Sequence, residues 1–136
     1  MFRIVYTSQL NPAVGRAEID AIIAEARENN AAADVTGAWL MKGRDCLSAL
    51  EGPPETVRRL GERIWDDRRH TGFRLRDMRA THHRYFPETP LYVLDVDLNG
   101  AEALQDHQGL RWLCSFVGGP EAFAANGLPP DPGEKD

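Results

Sequence analysis

Apolar and polar positions along this chain fall into stretches that each carry the period of one kind of element. Phe2 to Ser8 (FRIVYTS) is apolar and β-prone almost from the first residue and predicts a strand. From Ala17 to Asn30 the residues Ile19, Ile22, Ile23 and Ala26 recur at helical spacing, with Glu18, Asp20, Glu25, Arg27 and Glu28 on the other face. Asn29-Asn30 predict the end of that helix, because Asn tolerates the left-handed backbone such ends use. Val35 to Gly52 (VTGAWLMKGRDCLSALEG) reads as two buried strands around a turn at Lys42-Gly43-Arg44-Asp45, where Gly43 supplies the positive φ. Ser48 stands as a polar residue in the middle of the second run. Pro53-Pro54 end the hairpin and pre-set a helix to about Asp67, with Val57, Leu60, Ile64 and Trp65 inward. Phe73 to His82 predicts a strand whose alternation Asp77 disturbs, the mark of a bulge. Leu91 to Val96 predicts another strand.

The order β-α-β-β-α-β-β is the split βαβ arrangement of ferredoxin-like folds, an α+β sandwich with two helices on one sheet face and a cleft between them. Residues 1–97 form this domain. Over 98–127 the apolar residues Leu104, Leu110, Leu113, Phe116 and Val117, with Trp112, predict short helices ended at Gly118-Gly119-Pro120, and a further helix near Glu121 to Ala125. This C-terminal helical cap covers the second sheet face. Residues 128–136 read as a disordered tail.

A length of 136 residues suits one core, and no apolar run approaches the roughly 20 residues a membrane span needs. Cys46 and Cys114 fall in apolar segments without ligand-like spacing, which predicts reduced core thiols in a cytoplasmic protein. A net charge of −5 argues against nucleic acid as partner. The charge is uneven, however: nine arginines and four acids lie between Arg58 and Arg84. That segment is either a solvated face or an anion site, since guanidinium forks match phosphate oxygens. The chain has no G-x-S-x-G, C-x-x-C, H-E-x-x-H or phosphate loop. His82-His83 would point to opposite faces of a strand, and Asp66-Asp67 face different directions on a helix. Neither pair makes a catalytic or metal site, so no enzyme is expected.

Several short motifs, in order and at consistent spacing, carry a resemblance. They are Tyr6, A-R-x-N-N at Ala26 to Asn30, V-T-G at Val35 to Gly37, L-E-G at Leu50 to Gly52, and R-I-x-x-D-x-R-H at Arg63 to His70. Together, over Phe2 to Asp97, they resemble the family of blue-light sensors using flavin, the BLUF domains. The resemblance implies FAD or a related flavin held edge-on between the two helices. Asn30, with Asn29 beside it, would bind the ring edge. Ile22 and Ile64 would sandwich the ring, and Arg63 and Asp67 would meet the polar edge or ribityl chain. Without a flavin, Ile22 and Ile64 read equally as core and Asn30 as a helix cap.

The departures from the family pattern fall on its photochemistry. Family members pair the tyrosine, here Tyr6, with a glutamine that bridges it to the flavin, and alignment on L-E-G puts Ser48 at that place. The family's Trp-x-Met of the last strand corresponds to Thr89 and Leu91. The expectation is a flavin-binding regulatory domain with weakened flavin affinity and lost or altered light response. It would act through a protein partner, and homo-oligomers stay open. The outer sheet face with Leu104 to Val117, anchored by Trp112, is one contact surface; Trp112 as plain core is the competing reading. The alternative function is a flavin-free interaction module, which Trp39 would favour if it faced the cleft. A flavin-dependent enzyme ranks third.

Overall fold

The computed structural model describes residues 1–130, so the predicted tail lies, from residue 131 on, outside the described residues. The elements run β1 (Phe2–Leu10), α1 (Arg16–Ala32), β2 (Thr36–Lys42), β3 (Asp45–Gly52), α2 (Pro54–Trp65), β4 (His70–Ala80) and β5 (Tyr92–Asp95). Short helices follow: α3 (Val96–Asn99), α4 (Glu102–Asp106), α5 (Gln108–Cys114), a 3₁₀ turn (Ser115–Val117) and α6 (Pro120–Asn126). The five strands lie in the order β4-β1-β3-β2-β5. All neighbours are antiparallel except β2 and β5, which are parallel.

Strand alternation sorts the core into two sides. Phe2, Ile4 and Tyr6 of β1, with Leu50 of β3, pack toward Val57, Leu60 and Ile64 of α2. Trp39 and Met41 of β2 and Cys46 of β3 pack toward Ile19, Ile22, Ile23 and Ala26 of α1. The intervening residues Val5, Ala38, Leu40, Leu47 and Ala49 face the other way, onto Leu104, Leu110, Leu113, Val117 and Phe123. The molecule is thus a helix pair, a sheet and a helical cap.

Two glycines of the short motifs have a steric reason. A Cβ on Gly37 would stand 2.1 Å from the Ala49 carbonyl oxygen, and one on Gly52 would stand 2.9 Å from that of Asp34. Gly43 takes the expected positive φ, 59°, at the hairpin tip.

Several element ends differ from expectation. Helix α1 continues to Ala32, which leaves Asn30 inside its last turn and buried, and the left-handed residue is Asp34 at φ 59°. Strand β4 begins at His70 rather than Phe73, and pairing jumps from Val5↔Asp77 to Tyr6↔Leu75. The extra residue is therefore Arg76, one before the predicted bulge. Trp65 is 65% exposed because α2 ends there and its ring leans outward onto Phe73. Over its central strands the outer sheet face is no open contact surface, since Val5, Leu40, Leu47 and Ala49 are buried beneath the chain's own cap, while β4 stays largely exposed.

Candidate functional site

Between α1, α2 and the sheet lies a cavity of about 200 Å³. That is far larger than the water-sized voids of a close-packed interior. All eight residues singled out from the sequence line it: Tyr6, Ile22, Asn29, Asn30, Ser48, Arg63, Ile64 and Asp67. Ile22 comes from α1 and Ile64 from α2, so an apolar side chain stands on each helical wall. Tyr6 and Ser48 come from the sheet floor. Asn29, Asn30, Arg63 and Asp67 add polar side chains to the lining.

The floor is a row across three strands, because Tyr6 pairs directly with Ser48 and Ser48 with Trp39. Direct cross-strand partners share a face and sit within contact distance. Trp39, 9% exposed, therefore faces the cleft with its ring among Leu10, Cys46, Leu91 and the α1 residues. Tyr6 stacks on Phe73 with ring centroids 5.0 Å apart. Burial pushes its phenol up to about 12, with a hydrogen bond from Ser48 acting the other way. Burial likewise raises the Cys46 thiol, which also lines the cavity, to about 11. Both groups are neutral near pH 7.

Asn30 is no helix cap. Its Nδ2 donates to the Pro90 carbonyl at 3.0 Å, and Arg27 Nε donates to that of Leu91 at 3.2 Å. Helix α1 thus holds the segment entering β5 against the end of the cleft. At the mouth, Asp67 accepts from the Arg69 backbone N–H and from Arg69 Nε, each at 3.0 Å. The Arg69 bond holds the Asp67 carboxyl below its ordinary value. Arg69 also approaches Glu25 of α1 at 3.8 Å, spanning the opening. Arg69 and His70 line the cavity and were legible as the last two letters of R-I-x-x-D-x-R-H, although sequence reasoning did not assign them there.

Beneath the floor, Glu51 of the L-E-G motif is fully buried on the cap side. Its carboxylate accepts from the backbone N–H groups of Tyr85 and Phe86 at 2.9 Å and lies 3.6 Å from Arg3 Nη1. The Arg3 guanidinium in turn lies over the rings of Tyr85 and Trp112, at 5.0 and 4.5 Å. Trp112 stacks on Tyr85 at 4.1 Å and meets Phe116 edge-on. Trp112 is therefore a bound part of the cap rather than a freely offered anchor.

The arginine-rich segment is largely engaged within the molecule. Arg69 and Arg79 pair with Asp67 and Asp77, Arg84 with Asp34, Arg76 donates to Thr7, and Arg58 lies over Phe2. An anion site gains no support from that arrangement. Among the described residues, no cluster of His, Cys, Asp and Glu could hold a metal ion, and no helix is long and apolar enough to cross a membrane.

A cleft with apolar walls that also carries amide and charged side chains has the makings of a small-molecule site. A family model described as "Sensors of blue-light using FAD" matches residues 1–91, and the chain belongs to this family, BLUF. The fold recurs in Klebsiella pneumoniae BlrP1 with FMN and cyclic diGMP, at 26% identity and TM-score 0.75, covering 93% of this chain and 35% of that one. A bacterial light-regulated adenylyl cyclase is 25% identical at TM-score 0.72, over 84% of this chain and 34% of that one. BlrB, a BLUF protein in its dark state, shares the fold at TM-score 0.69 and 22% identity, over 84% of this chain and 96% of that one. The chain spans about a third of the length of the first two. No curated protein matches it.

Proposed function

We propose that the cleft binds a flavin, that the blue-light response normal to such domains is lost or altered here, and that the domain acts by contact with a partner protein. The observation that carries this reading is the row Tyr6–Ser48–Trp39 on the floor of a cleft that all eight candidate residues line. The donor set suits an isoalloxazine: two isoleucines for its faces and amides and charges for its edge. Bound flavin would supply blue absorption. Tyr6, kept as a neutral phenol by burial, stands beside the ring's place. Ser48 has one oxygen to donate and accept with, on a short stem. It can hydrogen-bond Tyr6 but cannot hold two opposed partners as a carboxamide does. Asn30 retains a carboxamide at the cleft, and Arg63 and Asp67 stand at its polar edge.

The FMN in the related BlrP1 structure supports flavin as the ligand class. The absence of a glutamine at position 48 removes one hydrogen bond, which weakens binding by about 0.5–1.5 kcal/mol without abolishing it. Titration of the purified chain with FAD, FMN and riboflavin should give saturable binding that Asn30→Ala weakens. Blue illumination of the loaded protein should leave its absorption without a reversible red shift. No saturable binding to any of the three sinks the flavin reading. A full red shift that Tyr6→Phe abolishes sinks the altered-photochemistry part.

One observation favours the second reading, a flavin-free interaction module: Trp39 faces the cleft and occupies part of its floor. On that reading Trp39→Ala would create binding where the parent chain has none.

A further inference from the structure

Strand β4 ends the strand order, and among the described residues no strand pairs with its outer side. Helix α2 packs on β1 and β3 and reaches β4 through the edge contact of Trp65 with Phe73, which leaves Leu75 and Met78 outside its cover. Leu75 is consequently 46% exposed and Met78 53% exposed. Leu75 and Met78 lie opposite Tyr6 and Ile4, which places both on the helix side of the sheet. Asp77 and Arg79 lie opposite Val5 and Arg3, which places them on the cap side. Beyond the bulge at Arg76 the edge from Asp77 to Ala80 is regular, and an unpaired edge of that kind with an exposed apolar residue is open to strand addition.

We propose that this edge pairs with β4 of a second copy of this chain, antiparallel about a two-fold axis at Met78. The charge pattern selects the partner. In that register Met78 meets Met78 of the other copy, and Asp77 of each chain lies opposite Arg79 of the other. The two strands then exchange two reciprocal ion pairs on the cap side. Within one chain Asp77 and Arg79 already bond to each other at 2.9 Å, two residues apart on one face. Pairing across the axis replaces a contact within a strand by its equivalent between strands, so Asp77 and Arg79 each keep a partner of opposite sign. The apolar strips of the two copies become one on the helix side. Arginines at an edge normally discourage pairing; here Asp77 makes the edge complementary to itself. An unrelated strand with a different charge sequence would leave Asp77 or Arg79 facing the wrong sign.

Sedimentation equilibrium of the full chain tests this. The parent chain should be a dimer at micromolar concentration, and Met78→Lys should raise the dimer Kd by about tenfold or more through like charges at the axis. Asp77→Arg and Arg79→Asp should each weaken association similarly, and the double exchange Asp77→Arg/Arg79→Asp should restore it. Thermal melting checks that each variant folds. Because Met78 and the Arg79 side chain are exposed, at 53% and 62%, their variants carry the test if Asp77→Arg alone does not fold. A chain that is monomeric throughout, or a dimer indifferent to Met78→Lys and Arg79→Asp, overturns the proposal. Single variants that weaken association with a double exchange that does not rescue it overturn the register.

Discussion

Tyr6, Ser48 and Trp39 decide what the cleft can do, and each is set by a different physical constraint. Tyr6 is a buried phenol whose folded pKa of about 12 lies above its ordinary 10.0. The folded state therefore keeps its proton longer than the unfolded chain does. The stabilisation this represents is complete below pH 10 and is lost as pH rises toward 12. A spectrophotometric titration should show one tyrosine ionising late, with that step missing from Tyr6→Phe. Ser48 leaves a gap that Trp39, its direct cross-strand partner, borders. Ser48→Gln alone should therefore not produce a flavin red shift, because the indole confines the longer side chain. Ser48→Gln/Trp39→Leu should produce one; a red shift in the single variant would show that Trp39 does not limit the site. The residue types at positions 6 and 48 were legible through the spacing of the motifs around them. The direction of Trp39 was not, because Ala38, Trp39, Leu40 and Met41 are all apolar and both faces of β2 are buried. With no polar residue among those four positions, sequence alternation has nothing to report.

At the scale of elements, the short motifs turn out to be joints. The glycines of V-T-G and L-E-G stand where neighbouring backbone leaves no room for a Cβ. Glu51 ties β3 to the segment at Tyr85 and Phe86, while Asn30 and Arg27 tie α1 to Pro90 and Leu91. The segment between β4 and β5 is thus pinned at both ends, once on each side of the sheet. Glu51→Ala should cost roughly 3–5 kcal/mol, since it strands Arg3 and two backbone donors in the interior. Chemical denaturation would measure it, and a loss near zero would mean the carboxylate is dispensable. The sequence disclosed the order of strands and helices because their periods are distinct. It did not disclose the β4 boundaries, since His70-Thr71-Gly72 carries turn residues and pairing with β1 overrides them. Nor did it show Glu51 as a clamp, because its partners are backbone groups more than thirty residues away.

For the whole molecule, the cap completes the core. Leu104, Leu110, Leu113 and Phe123 are fully buried against Val5, Leu40, Leu47 and Ala49. Ending the chain after Asp97 would bare that sheet face, a patch far more apolar than a soluble monomer tolerates. Such a fragment should appear in the insoluble fraction on expression, or melt well below the full chain; equal solubility and melting temperature would show that the cap is an accessory. The resemblance covered the sheet and helix pair, while the cap was legible only as short apolar runs.

Asp45 opens strand β3, three residues before Ser48, and its carboxylate accepts from Gln9 Nε2 at 2.9 Å and from the Leu128 backbone N–H at 3.0 Å. Gly127 is packed so closely on Asp45 that a Cβ there would stand 2.3 Å from the carboxylate. The start of the strand that carries Ser48 is therefore joined to the last residues of the cap by a hydrogen bond and by close packing. The end of the cap is latched to the hairpin, one strand away from Tyr6 and Trp39 on the cleft floor.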